Sequence, residues 1–296
     1  MVAALAALVV VGASVAVGVR YRRQIVSHLT HWKGSPSHTV AYEAYETAPR
    51  VHLAVAGDIG DSGSRLDSTG RAIAEIGSVT PYDVLLLLGD NVYPSGDPAK
   101  LPRTVYAPFG AVLEQGAELL AILGNHDVKA TDGAAQLAAL GMPGRWWARE
   151  LDGLLVVGLD SNTPDDADQL AFLERTLTAT DAKWKIVALH HPPFSAGYQG
   201  SDVHVRDVFA PLFAKHGVQL VLSGHDHDYQ RSERIDGVTY VVTGGAAGTR
   251  RTGEAPFTAA SFGWHHFVDV AVFEDRMVVR AVDKDERVAD EAVLLP

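Results

Sequence analysis

Five apolar segments of the chain each end in polar residues whose side chains can bind metal ions. The segments end in GDIG, GDNVY, GNHD, HHPP and GHDH. The side chains placed there are those of Asp58, Asp90, Tyr93, Asn125, His190 or His191, His225 and His227. Two carboxylates, an amide, a phenol and three imidazoles are too many ligands for one four-coordinate zinc ion, and they suit two metal ions that share a carboxylate. A phenolate favours an ion of high charge, which points to ferric iron at one position.

Each of these features by itself has an ordinary structural explanation. An aspartate after a glycine is usually a turn residue, a His-x-His pair is more often at the surface or in the core than on a metal, and a tyrosine is more often a packed aromatic. Turn chemistry does not explain five successive segment ends that all carry an oxygen or imidazole ligand. The joint pattern therefore predicts a metal site.

The apolar segments are predicted strands that bring these residues to one edge of a sheet. Short β-type runs recur at 51–56, 83–88, 118–123, 154–159, 185–189, 219–223, 238–242, 267–273 and 276–282. The first six are nearly continuous in hydrophobicity, as expected of strands buried on both faces, and helical patterns lie between them, most clearly at 163–180 and 205–217. This alternation predicts an α/β sandwich, in which functional groups gather beyond the carboxyl ends of the strands. The last strands alternate in polarity and predict an antiparallel edge.

Composition and charge exclude several classes of protein. With 296 residues, of which 47% are hydrophobic and 21% charged, the chain has the composition of a globular domain with extra segments. Its net charge of -11 argues against nucleic acid as a partner, because the phosphate backbone attracts basic surfaces. The absence of cysteine excludes disulfides, zinc–thiolate sites, iron–sulfur clusters and cysteine nucleophiles.

The N-terminal segment has the composition of a membrane anchor. Residues 1–19 carry no charge and would span about 28 Å as a helix, close to the thickness of a bilayer core. Three arginines follow within residues 20–23, whereas a secretory signal carries its basic residues before the apolar run. We therefore expect a transmembrane anchor at 1–19, a juxtamembrane linker at 20–49 and a globular domain at 50–296. The positive-inside rule places that domain in the cytoplasm, but a few further N-terminal residues would reverse the orientation.

The five motifs resemble those of the calcineurin-like metallophosphoesterase superfamily, and more narrowly those of its purple acid phosphatase branch. The blocks of this branch are Asp, Asp-x-x-Tyr, Asn-His, His and His-x-His, and they occur here in order within residues 51–245. The tyrosine separates the branch from relatives that lack a phenolate ligand. The resemblance implies a metallophosphoesterase domain at 50–296, built as a two-sheet sandwich flanked by helices in an α/β/β/α arrangement.

The resemblance also implies a role for each residue of the set. Asp90 would bridge two metal ions, ferric iron in the first position and ferrous iron, zinc or manganese in the second. The remaining ligands would be Asp58, Tyr93 and His227 at the first position and Asn125, His190 and His225 at the second. The spacing of the family motif selects His190 rather than His191 as the ligand. His126 would be the non-ligand histidine beside the substrate, and Asp127 is a candidate for orienting it.

One position departs from the pattern of the branch. A histidine that helps to protonate the leaving group often follows the fourth motif, and this chain has Gln199 there, which cannot act as an acid. His204 lies nearby in sequence as a candidate substitute. Farther along the chain, Arg250 and Arg251 either reach an anionic substrate or are solvated loop charges.

The predicted activity is hydrolysis of a phosphate ester by a metal-activated hydroxide, without a covalent phospho-enzyme. The resemblance favours a phosphomonoesterase of acid phosphatase type. A phosphodiesterase or a hydrolase of nucleotides or lipid phosphates is the alternative among enzymes, and the predicted membrane anchor makes a lipid-like substrate worth testing. Outside enzymes, the alternative is an inactive metal-bearing scaffold, for which Gln199 is the only argument.

Overall fold

A computed structural model describes residues 34–296 of the chain. The transmembrane anchor predicted at 1–19 and the first part of the predicted linker lie outside these residues. Within 34–296, no helix combines the length and the apolar composition that a bilayer span requires.

The first of two seven-stranded sheets carries three of the five motif-bearing strands. Its strands are β1 (Val40–Ala41), β2 (Val51–Ala56), β3 (Val84–Leu87), β4 (Glu118–Ala121), β12 (His266–Val272), β13 (Met277–Asp283) and β14 (Arg287–Leu294). They lie in the order β1-β14-β13-β12-β2-β3-β4. Strands β2, β3 and β4 pair in parallel, and the remaining pairs are antiparallel. The parallel part therefore directs three carboxyl ends to one edge.

The second sheet carries the other two motif-bearing strands. Its strands are β5 (Trp147–Leu151), β6 (Leu154–Gly158), β7 (Trp184–Ala188), β8 (Leu220–Ser223), β9 (Tyr229–Ser232), β10 (Thr239–Thr243) and β11 (Thr258–Phe262). They lie in the order β11-β9-β10-β8-β7-β6-β5. Strands β6, β7, β8 and β10 form a parallel centre, while β5, β9 and β11 pair antiparallel at the two sides.

Helices cover the outer face of each sheet. They are α1 (Ser64–Val79), α2 (Ala107–Glu114), α3 (Ala134–Ala139), α4 (Ala167–Ala179) and α5 (Val203–Lys215), with a 3-10 turn at Pro98–Lys100 and a π-helical turn at Pro102–Tyr106 before α2. Helices α1 and α2 pack against the first sheet, and α4 and α5 pack against the second. The side chains of Asp166 and Asp202 cap α4 and α5 by accepting hydrogen bonds from backbone N–H groups of the first turn. The layers are therefore helix, sheet, sheet and helix.

Burial on both faces explains why the strands of the parallel centres are continuously apolar. On β2, Leu53 and Val55 face the core between the two sheets, and Ala54 and Ala56 face helices α1 and α2. All six residues of this strand are buried. Because neither face of such a strand meets water, the alternation of polar and apolar residues disappears.

The observed elements confirm the predicted pattern of strands and helices. Each of the nine predicted runs overlaps a strand, with ends that agree to within two residues, and β12, β13 and β14 form the antiparallel side of the first sheet. The two predicted helices are α4 and α5, with Pro211 inside α5. Within the predicted linker, the short strand β1 pairs with β14.

Gly70 lies where helices α1 and α2 approach most closely, and a Cβ added there would overlap the carbonyl oxygen of Pro108. We expect Gly70→Ala to lower the free energy of unfolding by about 1–3 kcal/mol, because one helix must shift. Denaturant titration measures this loss. Gly110→Ala on α2 is the control, since a methyl group there meets nothing within 4 Å and alanine favours the helix. Equal losses in both variants would contradict the close approach.

Candidate metal centre

Residues of four of the five motifs line one pocket, and His190 of the fifth contacts two of them. Asp58, Asp90 and Asn125 follow the parallel strands β2, β3 and β4 of the first sheet, and His190 and His225 follow β7 and β8 of the second. The pocket between these strand ends has a volume of about 630 Å³, and the fully buried His190 contacts Asn125 and His225 of its lining. The side chains collected from the two sheets therefore share one small region.

Three of these residues are held in left-handed backbone conformations. The φ angles are 57° at Asp58, 51° at Asp90 and 71° at His225. Residues other than glycine rarely adopt positive φ, and such conformations cluster at functional sites where the surrounding fold imposes them. Each turn follows a buried strand directly, so the strand fixes where its side chain points.

Asp58, Tyr93 and His227 form the first of two contact groups in the pocket. The Tyr93 hydroxyl donates to Asp58 Oδ1 at 3.1 Å and lies 3.0 Å from His227 Nε2. His227 Nε2 lies 3.3 Å from the same carboxylate oxygen. An oxygen of a carboxylate, a phenol oxygen and an imidazole nitrogen therefore point at a common position.

Asn125, His190 and His225 form the second contact group. His190 Nε2 lies 3.2 Å from Asn125 Oδ1 and 3.3 Å from His225 Nδ1. The other nitrogen of His190, Nδ1, donates to the carbonyl oxygen of Leu88 at 2.9 Å. This hydrogen bond fixes the tautomer of His190 and leaves the Nε2 lone pair available to a metal ion.

Asp90 lies between the two groups. Its Oδ1 atom is 3.5 Å from His190 Nε2 and accepts a hydrogen bond of 2.8 Å from the backbone N–H of His126. Ligand atoms of Asp58, Asp90 and His190 all lie within 4.8 Å of one another. Asp90 thus contacts the second group through His190 and approaches the first through Asp58.

The electrostatics of the site favour a bound cation. Burial raises the pKa of Asp90, and the nearby Asp58 adds to this effect. Burial acts to lower the pKa of His190, but Asp90 and then Asp58 raise it overall. Without a metal ion, a proton on this ring therefore balances the negative charge of the carboxylates. Burial, followed by His190 and His191, lowers the pKa of His225 to about 2, which keeps this ring neutral. Metal ions bind neutral imidazoles and ionised carboxylates, so a bound cation would take the place of the proton on His190.

His191 lies beside the second group but is held by Ser161, a residue of the loop that follows β6. Its backbone N–H donates to Ser161 Oγ at 2.9 Å, and its Nδ1 atom lies at the same distance from that hydroxyl. Its ring centroid is 4.6 Å from that of His225, and a ligand nitrogen of His191 also lies within 4.8 Å of those of His190 and His225. Burial and then His190 lower the pKa of His191 to about 4.

His126 lines the pocket, but Asp127 does not orient it as predicted. His126 Nδ1 donates to the carbonyl oxygen of Pro94 at 2.8 Å, while its Nε2 atom lies 4.0 Å from Asp90 Oδ2. The fully buried Asp127 carboxylate instead accepts hydrogen bonds from four other residues. These are Asn91, Val92, Gly124 and Gln136. Asp127 therefore braces the loops that carry Asp90 and Asn125.

The structure shows which of the remaining candidate residues line the pocket and which do not. Gln199 lines the pocket. The exposed His204 lies outside the residues that line the pocket, and its Nε2 atom is 2.6 Å from Asp165 Oδ2. His204 is therefore not placed to substitute for an acid at position 199. Of the two arginines, Arg250 lines the pocket and Arg251 does not.

Sequence reasoning missed several residues of the pocket wall. Lys100, Arg103 and Thr104 line it, as do Asp61 and Ser62. The available signal was their position shortly after the GDIG and GDNVY motifs.

A buried acid beside the metal motif was also missed. Asp226, between His225 and His227, accepts hydrogen bonds from the side chain of Ser195 and from the backbone N–H groups of Gln199 and Gly200. It thereby ties the Gln199 loop to the His-x-His motif.

Residues 51–229 match the family model described as calcineurin-like phosphoesterase. The chain belongs to this family. The match confirms the resemblance seen in the motifs, and the two mixed sheets with flanking helices agree with the expected layers. The calcineurin-like phosphoesterase domain identifies a metal-dependent phosphoric ester hydrolase.

Known relatives place this calcineurin-like phosphoesterase near the purple acid phosphatases. Purple acid phosphatase 17 of Arabidopsis thaliana is 26% identical over 230 residues, covering 66% of this chain and 68% of the relative. The chain spans only 48% of purple acid phosphatases 21 and 22 of the same plant. The structure of purple acid phosphatase PPD1 from yellow lupin seeds has the same fold, with a TM-score of 0.73 at 15% identity over 88% of this chain and 55% of that one.

A relative named for another activity also matches. The cAMP/cGMP dual specificity phosphodiesterase MT0825 of Mycobacterium tuberculosis is 33% identical over 162 residues, covering 49% of this chain and 48% of the relative. Phosphoric ester hydrolysis is common to both kinds of relative.

Proposed function

We propose that the chain is a phosphomonoesterase of the acid phosphatase type that works with a dinuclear metal centre. The observation that carries this proposal is the division of the site residues into two contact groups with Asp90 between them. Two groups of donors joined by one carboxylate suit two metal ions, whereas a single four-coordinate ion would leave three of the donors without a role.

The proposed ligands follow the two contact groups. Asp90 bridges the metal ions. Asp58, Tyr93 and His227 hold the first ion, and Asn125, His190 and His225 hold the second. Burial, and then Asp58 and Asp90, raise the pKa of Tyr93 far above its ordinary value, so the phenolate form needs a strongly charged cation. A phenolate ligand favours ferric iron in the first position, and the second would take ferrous iron, zinc or manganese.

The residues around the metal ligands bind the substrate and stabilise its negative charge. When bound, the metal ions supply a hydroxide near neutral pH. His126, whose Nδ1–H is held by the Pro94 carbonyl, presents its Nε2 atom to the pocket and stabilises charge on the phosphoryl oxygens. Water oxygen bonds to phosphorus as the ester P–O bond breaks, and the electron pair of that bond leaves with the alcohol oxygen. The water loses a proton to solvent, and the alcohol oxygen takes one from solvent. Gln199 can hydrogen-bond to the leaving oxygen but supplies no proton.

Hydrolysis of phenyl phosphate by the full chain tests the proposal. We expect activity after loading with iron together with zinc or manganese, measured from acid to mildly alkaline pH as phosphate release. Metal analysis of the same sample gives the ion content per chain. A protein that holds two metal ions and hydrolyses neither phenyl phosphate nor a diaryl phosphate at any pH would instead be a scaffold.

A phosphodiesterase is the second candidate function, because of the 33% identity to the mycobacterial phosphodiesterase. A diaryl phosphate, tested in parallel with phenyl phosphate, separates the two. A higher kcat/KM for the diester than for the monoester would favour the second candidate.

His126 is proposed to act on the substrate without binding metal. We expect His126→Ala to lower kcat for phenyl phosphate by about a hundredfold and to leave the metal content unchanged, because the imidazole stabilises charge only in the transition state. His204→Ala is the control, since His204 is exposed and outside the pocket wall. Equal loss of activity in both variants, or loss of metal from His126→Ala, would contradict this role.

We propose also that residues 1–19 anchor the phosphoesterase domain, at 50–296, to a membrane, with the side of the membrane open. The uncharged composition of that segment supports the proposal. Alkaline extraction of membranes from expressing cells tests it, because that treatment releases peripheral proteins and retains spanning ones. Recovery of the full chain in the soluble fraction would contradict the anchor.

A further inference from the structure

A third imidazole lies beside the second contact group. Ligand nitrogens of His190, His191 and His225 all lie within 4.8 Å of one another. The ring of His191 is 4.6 Å from that of His225 and 5.1 Å from that of His190, measured between centroids. The resemblance to the family gives a ligand role to His190 and His225 and none to His191. What this third ring does is therefore a separate question.

The distances in this cluster suit a single metal ion. Two nitrogens at about 2.1 Å from one ion are about 3.3 Å apart in tetrahedral geometry and at most about 4.2 Å apart when they face each other across the ion. His190 Nε2 and His225 Nδ1 are 3.3 Å apart. The 4.8 Å limit that includes His191 exceeds the largest of these separations by about 0.6 Å, so a small movement of the ring brings its nitrogen into range.

Ser161 holds the His191 ring in the way that ligand histidines are held. The backbone N–H of His191 donates to Ser161 Oγ at 2.9 Å, and His191 Nδ1 lies 2.9 Å from the same oxygen. A histidine that binds metal through one ring nitrogen usually donates a hydrogen bond from the other. His190 follows this rule, since its Nδ1 atom donates to the carbonyl oxygen of Leu88. When Nδ1 of His191 donates to Ser161, the Nε2 lone pair is available to a metal ion.

His191 approaches the cluster from outside the pocket. Asn125 and His225 line the pocket, whereas His190 and His191 are not among its lining residues. His191 is half-buried and lies in the loop that follows β7. A ligand on this side leaves the pocket side of the second position open to a phosphate group, so it is compatible with the proposed hydrolysis.

We propose that His191 is a ligand at the second metal position, and that this third imidazole selects zinc there rather than manganese. The inference rests on the dinuclear centre of the proposed function. Imidazole nitrogen is a favoured donor for zinc, whereas manganese favours carboxylate, carbonyl and water oxygens. The second position then has nitrogen donors from His190, His191 and His225 and oxygen donors from Asn125 and Asp90.

X-ray absorption at the zinc edge tests the ligand directly. The full chain is loaded with one iron and one zinc ion, as verified by metal analysis, so that the zinc spectrum reports the second position alone. We expect three imidazoles around zinc in the wild type and two in His191→Phe, which keeps a ring beside His225 but has no nitrogen to offer. Two imidazoles around zinc in the wild type would overturn the proposal, whether or not the variant folds.

Competition with a chelating indicator measures the selectivity for metal. We expect His191→Phe to weaken zinc binding at the second position by about tenfold or more and manganese binding by less than about threefold, so that the ratio of the two affinities falls. His204→Phe is the matched control, because it removes an exposed imidazole outside the pocket wall and should change neither affinity. Equal weakening of zinc and manganese binding in His191→Phe would indicate a packing role and contradict the selectivity.

Ser161→Ala tests the orientation of the His191 ring. The variant removes the partner of Nδ1, and we expect zinc affinity to fall by about tenfold while zinc keeps its three imidazoles. Zinc affinity equal to that of the wild type would contradict the orientation on which the ligand assignment depends.

Activity measurements separate failure of this inference from failure of the proposed function. Three imidazoles on zinc in a protein that hydrolyses neither a phosphomonoester nor a diester would support His191 as a ligand and remove the hydrolase function. Two imidazoles on zinc in an active enzyme would do the reverse. A chain that binds zinc through three imidazoles and holds no second ion would contradict the dinuclear centre on which the selectivity rests.

Discussion

Asp90→Asn is expected to lower kcat for phenyl phosphate by at least about a thousandfold and to reduce the metal content of the chain. Asparagine keeps the oxygen that accepts the N–H of His126, so the turn itself can remain. It removes the negative charge that two neighbouring cations would share, and a neutral amide is a poor bridge between them. Metal analysis and steady-state kinetics on the same sample measure both effects.

Stability of the metal-free protein separates this effect from misfolding. Burial, with a further contribution from Asp58, raises the pKa of Asp90, so the ionised carboxylate lowers the free energy of unfolding at pH values above that raised pKa. Metal-free Asp90→Asn should therefore be at least as stable as the metal-free wild type at neutral pH. Asp207→Asn, an exposed change on α5, is the control for the loss of one charge. Full metal content and activity in Asp90→Asn would overturn the bridging role.

The parts of the fold that could be predicted are those that local composition determines. A strand such as β3, with every residue buried, must be apolar throughout, and its end is marked by the first glycine and aspartate. Helix α1 escaped prediction because its sequence contains Gly70 and Gly77, which disfavour a helix in isolation. The close approach of Gly70 to α2 is a tertiary reason for glycine that a single sequence does not reveal.

The parts of the site that could be predicted are those presented directly by strand ends. Asp127 shows the limit of this reasoning, because it follows His126 in sequence yet turns into the core and contacts the neighbouring loops. Adjacent residues in a turn point in different directions, so proximity in sequence does not establish contact. Lys100 is the opposite case, since the chain between it and Tyr93 turns back and brings its ammonium to the Tyr93 carbonyl.

Tyr93→Phe is expected to abolish visible absorption of the iron-loaded protein completely. In the proposed centre the band arises from transfer of charge from the Tyr93 phenolate to ferric iron, and phenylalanine has no oxygen to bind the ion. The ring itself should stay in place, because its edge-to-face contact with His126, at 4.7 Å between centroids, does not involve the hydroxyl. An absorption spectrum of protein with a measured iron content is the test.

Tyr106, a tyrosine outside the pocket wall, provides the control for Tyr93→Phe. Tyr106→Phe also removes one hydroxyl, from a partly exposed ring that donates to the carbonyl oxygen of Ala139 outside the pocket wall, and it should leave the band unchanged. A colourless wild type with two bound metal ions would overturn the ferric assignment, and a coloured Tyr93→Phe would transfer the band to another ligand. Burial, and then Asp58 and Asp90, raise the pKa of Tyr93, so these surroundings disfavour the phenolate in the absence of a metal ion. Colour that depends on Tyr93 therefore requires a highly charged ion bound at that oxygen.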